Sequence, residues 1–129
     1  MIKPDGIKRG LIGSIISRYE SKTLKILDCQ MVRAKKDQLE RHYAEHIGKD
    51  FFVNLITFMM SGPIIIMLLE GENAISAVRK LHGATDPKDA DPGTIRGDYA
   101  YHTTENLVHA SDSKESVERE IKIWLKKEF

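Results

Sequence analysis

The sequence predicts an α+β domain in which helices pack against one antiparallel β-sheet. Some apolar residues recur with helical spacing, as over residues 11–19, whereas others form short runs of strand length, of which 63–69 is the longest. Along the chain these patterns give the order β-α-β-αα-β-α, a long loop, and then β-α. This order is typical of a ferredoxin-like sandwich, with a four-stranded antiparallel sheet, helices on one face and an inserted helical pair.

Length and composition predict one soluble domain over residues 1–129. The 20 Lys and Arg residues nearly balance the 19 Asp and Glu residues, which argues against nucleic acid as the main partner. The single cysteine, Cys29, excludes an internal disulfide framework and is typical of a reducing compartment. No secretory signal opens the chain, and the run over 63–69 is too short to cross a bilayer. We therefore predict a cytoplasmic protein with no membrane partner.

Turn and capping residues divide the first half of the chain into elements. Pro4 stops a strand, and Asp5-Gly6 favours a turn after it. Asp37, with Glu40 three residues later, is an N-cap signature. We predict, in order, the end of a strand over 1–6, a helix over 10–21, a strand over 24–32, a helix from Asp37 through about His46, and a helix after Asp50.

The second half repeats this alternation around a long irregular segment. Ser and Asp residues near 112 again favour a helix start, because Asp112 and Glu115 form a capping-box pattern. We predict, in order, a central strand over 64–69, a helix over 73–81 closed by His82-Gly83, an irregular stretch over 84–98, a short strand near Leu107, and a helix after Asp112.

His109 lies where the short strand meets a polar turn before the last helix. A neutral histidine is a competent nucleophile, and Glu120 lies on the flank of the apolar stripe of that helix, within reach of the imidazole. From the residues alone, a structural or surface histidine is the commoner interpretation of such a position. The other histidines show no metal-ligand spacing with His109, and the chain has no cysteine pair to complete a metal site.

Two further features favour nucleotide binding. The irregular stretch over 84–98 offers Thr85 as a hydroxyl donor and Arg96 as a forked cation. Because the chain has no P-loop motif, a phosphate site must come from dispersed Lys, Arg and Thr side chains. Phe51 beside Leu55 forms a platform for any nucleobase, although core packing is the alternative interpretation of such a pair. Stacking without hydrogen bonds to the base edges predicts a broad base tolerance.

Three separated motifs give these features a common interpretation. Asn106-Leu-Val-His-Ala-Ser-Asp-Ser113 resembles the active-site signature of nucleoside diphosphate kinases, in which the histidine is phosphorylated during turnover. Ile2-Lys-Pro-Asp-Gly6 and Pro92-Gly-Thr-Ile-Arg-Gly-Asp98 resemble two further motifs of this family. Position 110 is Ala where many members have Gly, which keeps a small residue. The resemblance spans essentially the whole chain.

The resemblance implies transfer of the terminal phosphoryl group from a nucleoside triphosphate to a nucleoside diphosphate, with ping-pong kinetics. It makes His109 the nucleophile, through Nδ1, with Glu120 and Ser111 holding its ring. Mg²⁺ is expected on the nucleotide phosphates, with no direct protein ligand and Asp112 at most in contact through water. The implied nucleotide contacts are Lys3, Tyr43, His46, Arg79, Thr85 and Arg96 at the phosphates, Asn106 and Lys3 at the sugar, and Phe51 and Leu55 at the base.

The resemblance also implies a homo-oligomer. The short tail ending at Phe129 and the long loop with its prolines favour a hexamer over a tetramer. Relatives carry more first-strand residues than the two that precede Lys3 here, so we expect this strand either to be short or to continue in a longer natural chain. Two alternatives stay open: a non-enzymatic nucleotide- or nucleic-acid-binding regulator on the same fold, and a metabolite-binding scaffold. The set of His109, Arg79 and Arg96 argues against the first, and competition between ADP and GDP would distinguish the second, because a scaffold has no reason to bind both alike.

Overall fold

The computed structural model describes residues 1–125 of the chain. The tail through Phe129, on which the expectation of a hexamer partly rests, lies outside these residues. In chain order the elements are α1 (Pro4–Lys8), α2 (Ile12–Ser21), β1 (Lys25–Val32), α3 (Lys36–His42), a 3₁₀ turn (Ala44–His46), α4 (Phe52–Met59), β2 (Ile64–Glu70), α5 (Ala74–His82), a 3₁₀ turn (Pro87–Asp89), α6 (Ile95–Tyr99) and α7 (Lys114–Trp124). None of the helices in this part of the chain is long and apolar enough to span a membrane.

The sheet consists of β1 and β2, which pair in antiparallel register with one irregularity near Asp28. Beyond β2, Ile2 forms an isolated bridge to Ile65 and a second to Val108. The α+β class is therefore confirmed, but the described residues contain two strands and two bridges rather than four strands. Pro4 ends the first segment at once because it has no N–H, and Leu107 adopts a left-handed φ of 77°, which interrupts an extended strand.

Helices cover both faces of the sheet, whereas the sequence predicted one. Ile64 and Ile66 face a core cluster built with α3, α4 and α7, and Ile65 faces a second cluster built mainly with α2. An apolar run with no alternation is typical of a strand buried on both sides. The run over 64–69 contained this signal.

Residues 1–6 correct the first turn prediction. Pro4 occupies the first position of α1, where its fixed φ favours a helix start, so Asp5 and Gly6 are helical rather than a turn. A Cβ on Gly6 would lie 2.8 Å from Cγ2 of Ile2 and 3.3 Å from the carbonyl oxygen of Leu107. Glycine is therefore needed here for close packing between α1 and the bridge segments.

Two helix starts also differ from the prediction. At α3 the side chain of Gln38 accepts a hydrogen bond from the backbone N–H of Lys35 at 3.0 Å, so the helix begins before Asp37 and ends at His42. At α7 the cap is Ser113, whose Oγ accepts from the N–H of Ser116, and not Asp112. In both places an unpaired N–H group at the start of the helix is satisfied by a side chain other than the predicted aspartate.

The stretch over 84–98, which was predicted to be irregular, contains a 3₁₀ turn and α6. Asp86 caps the first by accepting from the N–H of Lys88, and Thr94 caps the second by accepting from the N–H of Gly97. A Cβ on Gly97 would lie 1.9 Å from the carbonyl oxygen of Asp91, so this segment folds tightly on itself. The remaining predicted elements, α2, β1, α4, β2 and α5, are present.

Candidate functional site

One cleft of about 1110 Å³ collects nearly all the residues predicted to form the site. Its volume is comparable to that of ordinary small-ligand sites. The predicted residues on its lining are Lys3, Tyr43, His46, Phe51, Leu55, Arg79, Thr85, Arg96, Asn106, His109, Asp112 and Glu120. Ser111 is the exception and lines a smaller neighbouring cavity, which His109 and Glu120 also border.

The imidazole of His109 is fixed by Glu120. Nε2 of His109 lies 2.5 Å from Oε1 of Glu120, and a carboxylate only accepts, so Nε2 carries the proton. The lone pair is then on Nδ1, and the side chain is 27% exposed. The main chain is held as well, because the backbone N–H of His109 donates to the carbonyl oxygen of Met1 at 2.9 Å. The ring therefore has one oriented, unprotonated nitrogen.

Burial lowers the pKa of His109 well below its ordinary value, and the positive charges of Lys3, Arg96 and Arg79 lower it further. A histidine with a lowered pKa is neutral at pH 7. The nucleophilic form predicted from the sequence is thus the form that this environment favours.

His42 is the residue that the sequence analysis missed. Its ring lies edge-on to the ring of His109, with centroids 4.4 Å apart, and its Nδ1 accepts a hydrogen bond from Nε1 of Trp124 at 3.0 Å. Nδ1 also lies 3.8 Å from Oε1 of Glu120. The sequence contained a signal that could have identified it. His42 follows Leu39 by three residues, and this spacing puts both side chains on the same, buried face of α3.

Lys3 and Asn106 form a buried pair that joins distant segments. Nζ of Lys3 donates to Oδ1 of Asn106 at 2.7 Å and to the carbonyl oxygen of Thr104 at 3.3 Å. Burial lowers the pKa of Lys3 to about 8. Nδ2 of Asn106 donates to the carbonyl oxygen of Thr85 at 3.0 Å. This hydrogen bond anchors the main chain that carries the Thr85 hydroxyl.

The two arginines of the cleft differ in their surroundings. Arg96 is buried and donates to three carbonyl oxygens, those of Asn106, Gly83 and Val108, at 3.3, 2.9 and 2.6 Å. Burial lowers the pKa of Arg96 to about 10, which leaves it charged at pH 7. Arg79 is exposed, and its single hydrogen bond within residues 1–125 is a long one of 3.5 Å to the carbonyl oxygen of Ala110.

Aromatic rings lead from His109 towards the other end of the cleft, beginning with Tyr43, whose ring centroid lies 6.5 Å from that of His109. The rings of Tyr43 and His46 stack at 6.0 Å, and His46 meets Phe51 edge-on at 5.2 Å. Phe51 is 45% exposed, whereas Leu55 is buried beneath it. The hydroxyl of Tyr43 is buried and has no hydrogen-bond partner among the described residues, and burial raises its pKa. Such a hydroxyl favours a ligand that supplies an acceptor.

Among residues 1–125, neither Ser111 nor Asp112 forms a hydrogen bond with the imidazole of His109. Within the described part of the chain, Ser111 forms no hydrogen bond with His109, so the geometry gives no support to its predicted role in holding the ring. Asp112 accepts from Oγ of Ser116 at 2.6 Å, and this hydrogen bond lowers the pKa of Asp112.

The sequence has clear relatives along its full length. A family model described as "Nucleoside diphosphate kinase" matches residues 1–129. A nucleoside diphosphate kinase of Sulfurisphaera tokodaii is 55% identical over 128 residues, which cover 99% of this chain and 87% of that protein. A nucleoside diphosphate kinase of Methanocaldococcus jannaschii is 54% identical over 127 residues, which cover 98% of this chain and 91% of that protein.

Solved structures show the same similarity. Apo nucleoside diphosphate kinase of Encephalitozoon cuniculi superposes with a TM-score of 0.96 at 44% identity, over 98% of this chain and 86% of that one. A nucleoside diphosphate kinase of Halobacterium salinarum in complex with CDP superposes with a TM-score of 0.92 at 47% identity, over 95% of this chain and 82% of that one.

Proposed function

This chain belongs to the nucleoside diphosphate kinase family, and we propose that His109 carries the phosphoryl group in its reaction. The chain is a phosphotransferase that moves the terminal phosphoryl group of a nucleoside triphosphate to a nucleoside diphosphate. The observation that carries the residue assignment is the hydrogen bond from Nε2 of His109 to Glu120, because it leaves Nδ1 unprotonated in a cleft lined with cations.

The transfer is divided into two displacements at phosphorus. In the first, the Nδ1 lone pair of His109 forms a bond to the γ-phosphorus, the bond to the β,γ-bridging oxygen breaks, and the diphosphate leaves with that electron pair. The imidazole gains positive charge, which the carboxylate of Glu120 stabilises through Nε2–H. In the second, a terminal oxygen of another nucleoside diphosphate attacks the phosphohistidine, and Nδ1 recovers its lone pair.

Cations at the phosphate end offset the charge of the transferring group. Arg79 is exposed on the cleft wall with little competition for its guanidinium, so it is free to bind phosphate oxygens in a forked arrangement. Lys3 and Arg96 are held by other groups and act mainly through their fixed charge. The unpartnered hydroxyl of Tyr43 donates to a phosphate oxygen, and the hydroxyl of Thr85, which also borders the cleft, does the same.

We propose that Mg²⁺ enters the cleft bound to the nucleotide phosphates. This ion prefers carboxylate and phosphate oxygens and retains several waters. Asp112 is an exposed carboxylate on the lining of the cleft, which suits a contact through water. When bound, the ion would neutralise phosphate charge, while the residues of the chain would still orient and receive the phosphoryl group.

At the other end, Phe51 stacks on the base, with Leu55 packed beneath and His46 bracing its edge. A ring face meets every base, so this arrangement supports a broad choice of nucleotide. The complex of the Halobacterium salinarum relative with CDP supports a nucleoside diphosphate as the ligand of this cleft.

We also propose the finer features of the architecture. The spatial order β1, β2, Ile2, Val108 supports a four-stranded ferredoxin-like sheet whose last two strands are reduced to bridges. A homo-oligomer is supported by the apolar side chains of Leu27 and Met31, which are 43% and 56% exposed on the outer strand. We propose a hexamer rather than a tetramer on the ground of the long loop with its prolines. We propose a cytoplasmic location, with nucleic acid not a main partner, and sedimentation would measure the assembly.

The assignment of His109 is tested by labelling. The protein, His109→Ala and the matched control His102→Ala, whose histidine is exposed and outside the cleft lining, are incubated with γ-labelled ATP. We expect an acid-labile label on the unmodified protein and on His102→Ala, and we expect unlabelled ADP or GDP to remove it. Label retained by His109→Ala, or label that no diphosphate removes, would overturn the assignment.

A further inference from the structure

Two imidazoles and one carboxylate converge beside the proposed nucleophile. The ligand atoms of His42, His109 and Glu120 lie within 4.8 Å of one another, although the three residues come from three separate parts of the chain. All three border the main cleft, which gives an ion from solvent a path to them. Two histidines and one carboxylate, with further positions open to solvent, are a common ligand set for Zn²⁺ in proteins.

The distances fit a small rearrangement around such an ion. Zn²⁺ bonds to imidazole nitrogen and carboxylate oxygen place tetrahedral donors about 3.4 Å apart. The two measured separations, 2.5 Å between Glu120 and His109 and 3.8 Å between Glu120 and His42, lie on either side of that value. The carboxylate of Glu120 takes part in both separations. Its rotation therefore changes the distance to His109 and the distance to His42 at the same time.

Two existing contacts limit the strength of such a site. Trp124 already donates to Nδ1 of His42 at 3.0 Å, and Arg119 lies 3.7 Å from Glu120. Because Nδ1 of His42 accepts a hydrogen bond, its Nε2 carries the proton, and Nδ1 is the nitrogen that an ion would bind. The site is therefore weaker than a dedicated structural zinc site.

We propose that His42, His109 and Glu120 form an inhibitory site for Zn²⁺ or a chemically similar divalent ion. The ion binds Nε2 of His109, and the proton that Nε2 carried moves through solvent to Nδ1 of the same ring, so the imidazole stays neutral. Glu120 then binds the ion instead of accepting from Nε2–H, and the protonated Nδ1 has no lone pair with which to attack phosphorus. Mg²⁺, which prefers oxygen ligands and its own waters, does not compete for this site. The inhibitory consequence rests on the proposed role of His109, whereas the binding does not.

Direct binding tests the site without nucleotide or activity. Zn²⁺ is titrated into the protein by calorimetry in two buffers of different ionisation enthalpy, and Co²⁺ is titrated while visible absorption is recorded. We expect one ion per chain, the same binding enthalpy in both buffers because each imidazole keeps its proton, and Co²⁺ bands typical of four or five ligands. His42→Gln and His109→Ala should each weaken Zn²⁺ binding by about tenfold or more, whereas His102→Ala should not.

The second arm measures phosphohistidine formation with Mg²⁺-ATP and added Zn²⁺. We expect inhibition that a chelator reverses and that His42→Gln reduces. His42 packs inside the protein, so the design covers the case in which His42→Gln does not fold. His109→Ala, which removes a side chain that is 27% exposed, is then the ligand variant for the binding measurements, and chelator reversal alone decides the inhibition arm. Absence of Zn²⁺ binding, or unchanged binding by the folded ligand variants, overturns the site while leaving the kinase assignment intact. Binding by a protein that never becomes phosphorylated would instead overturn the proposed function.

Discussion

The two ends of the cleft are built differently. At the phosphate end, Lys3, Arg96 and Asn106 are buried and joined by hydrogen bonds to one another or to main-chain carbonyls. At the base end, Phe51 is 45% exposed and meets the ring of His46 edge-on. One end is buried and charged, and the other presents an exposed aromatic ring.

This difference follows from what each end has to bind. Charge moves during phosphoryl transfer, and groups fixed before the reaction stabilise that charge without the cost of reorganisation. A base only needs a flat surface, and every base offers the same π-face. The comparison therefore predicts that changes at the phosphate end lower the rate, whereas changes at the base end lower the affinity.

The sharpest test of the comparison is His109→Ala. Without Nδ1 there is no phosphohistidine, so multi-turnover transfer should be lost, while nucleotide binding should survive because it rests on the cations and on Phe51. Steady-state transfer and ADP binding measure the two quantities separately. Substantial turnover by the variant would remove the distinction between the two ends.

Arg96→Ala should have the next largest effect. Losing one preorganised positive charge beside the transferring group costs about 3 kcal/mol of transition-state stabilisation, or on the order of 100-fold in rate. Because Arg96 also donates to three carbonyl oxygens, this variant should melt at a lower temperature as well.

Arg79→Ala is the matched comparison for Arg96→Ala. Arg79 is exposed and has one long hydrogen bond, so its loss should lower the phosphorylation rate of His109 without a change in melting temperature. A change below about threefold in either rate would make that arginine an ordinary surface or structural residue. Equal losses of stability in the two variants would contradict the contrast drawn from their burial.

The buried histidines of the phosphate end should make stability dependent on pH. Burial lowers the pKa of His42 from 6.5 to about 3, so the unfolded chain binds the proton more tightly than the folded one. Its contribution to stability is therefore complete above pH 6.5 and is lost as the pH falls towards 3. At pH 5 the loss is about 2 kcal/mol for this group. Chemical denaturation of the protein and His42→Gln at pH 7 and pH 5 measures it, and an equal decline in both would assign the effect elsewhere.

Phe51→Ala should have the smallest effect. Loss of base stacking costs about 1–3 kcal/mol of binding. We expect a higher KM of similar size for adenine, guanine and cytosine nucleotides, with kcat nearly unchanged. A fall in kcat without a change in KM would place Phe51 with the phosphate end and break the comparison.

Part of the site was predictable because motifs and local patterns encode it. Apolar spacing predicted α2, β1, β2 and α5, since these elements bury a face that repeats along the chain. The resemblance to nucleoside diphosphate kinases placed His109 and Glu120 together, and the structure brings them to 2.5 Å. Local chemistry was less reliable at the ends of elements, where Ser113 took the capping position predicted for Asp112.

Contacts between distant segments were decided only in the folded protein. No pattern around Arg96 indicates that its guanidinium meets the carbonyl oxygens of Gly83 and Val108, because those oxygens converge only when α6 packs under the bridge segment. His42 likewise gives no metal-ligand spacing in the sequence, yet its ring reaches His109 once α3 and α7 pack together. Local periodicity records which face of an element is buried. The partner of that face depends on long-range packing.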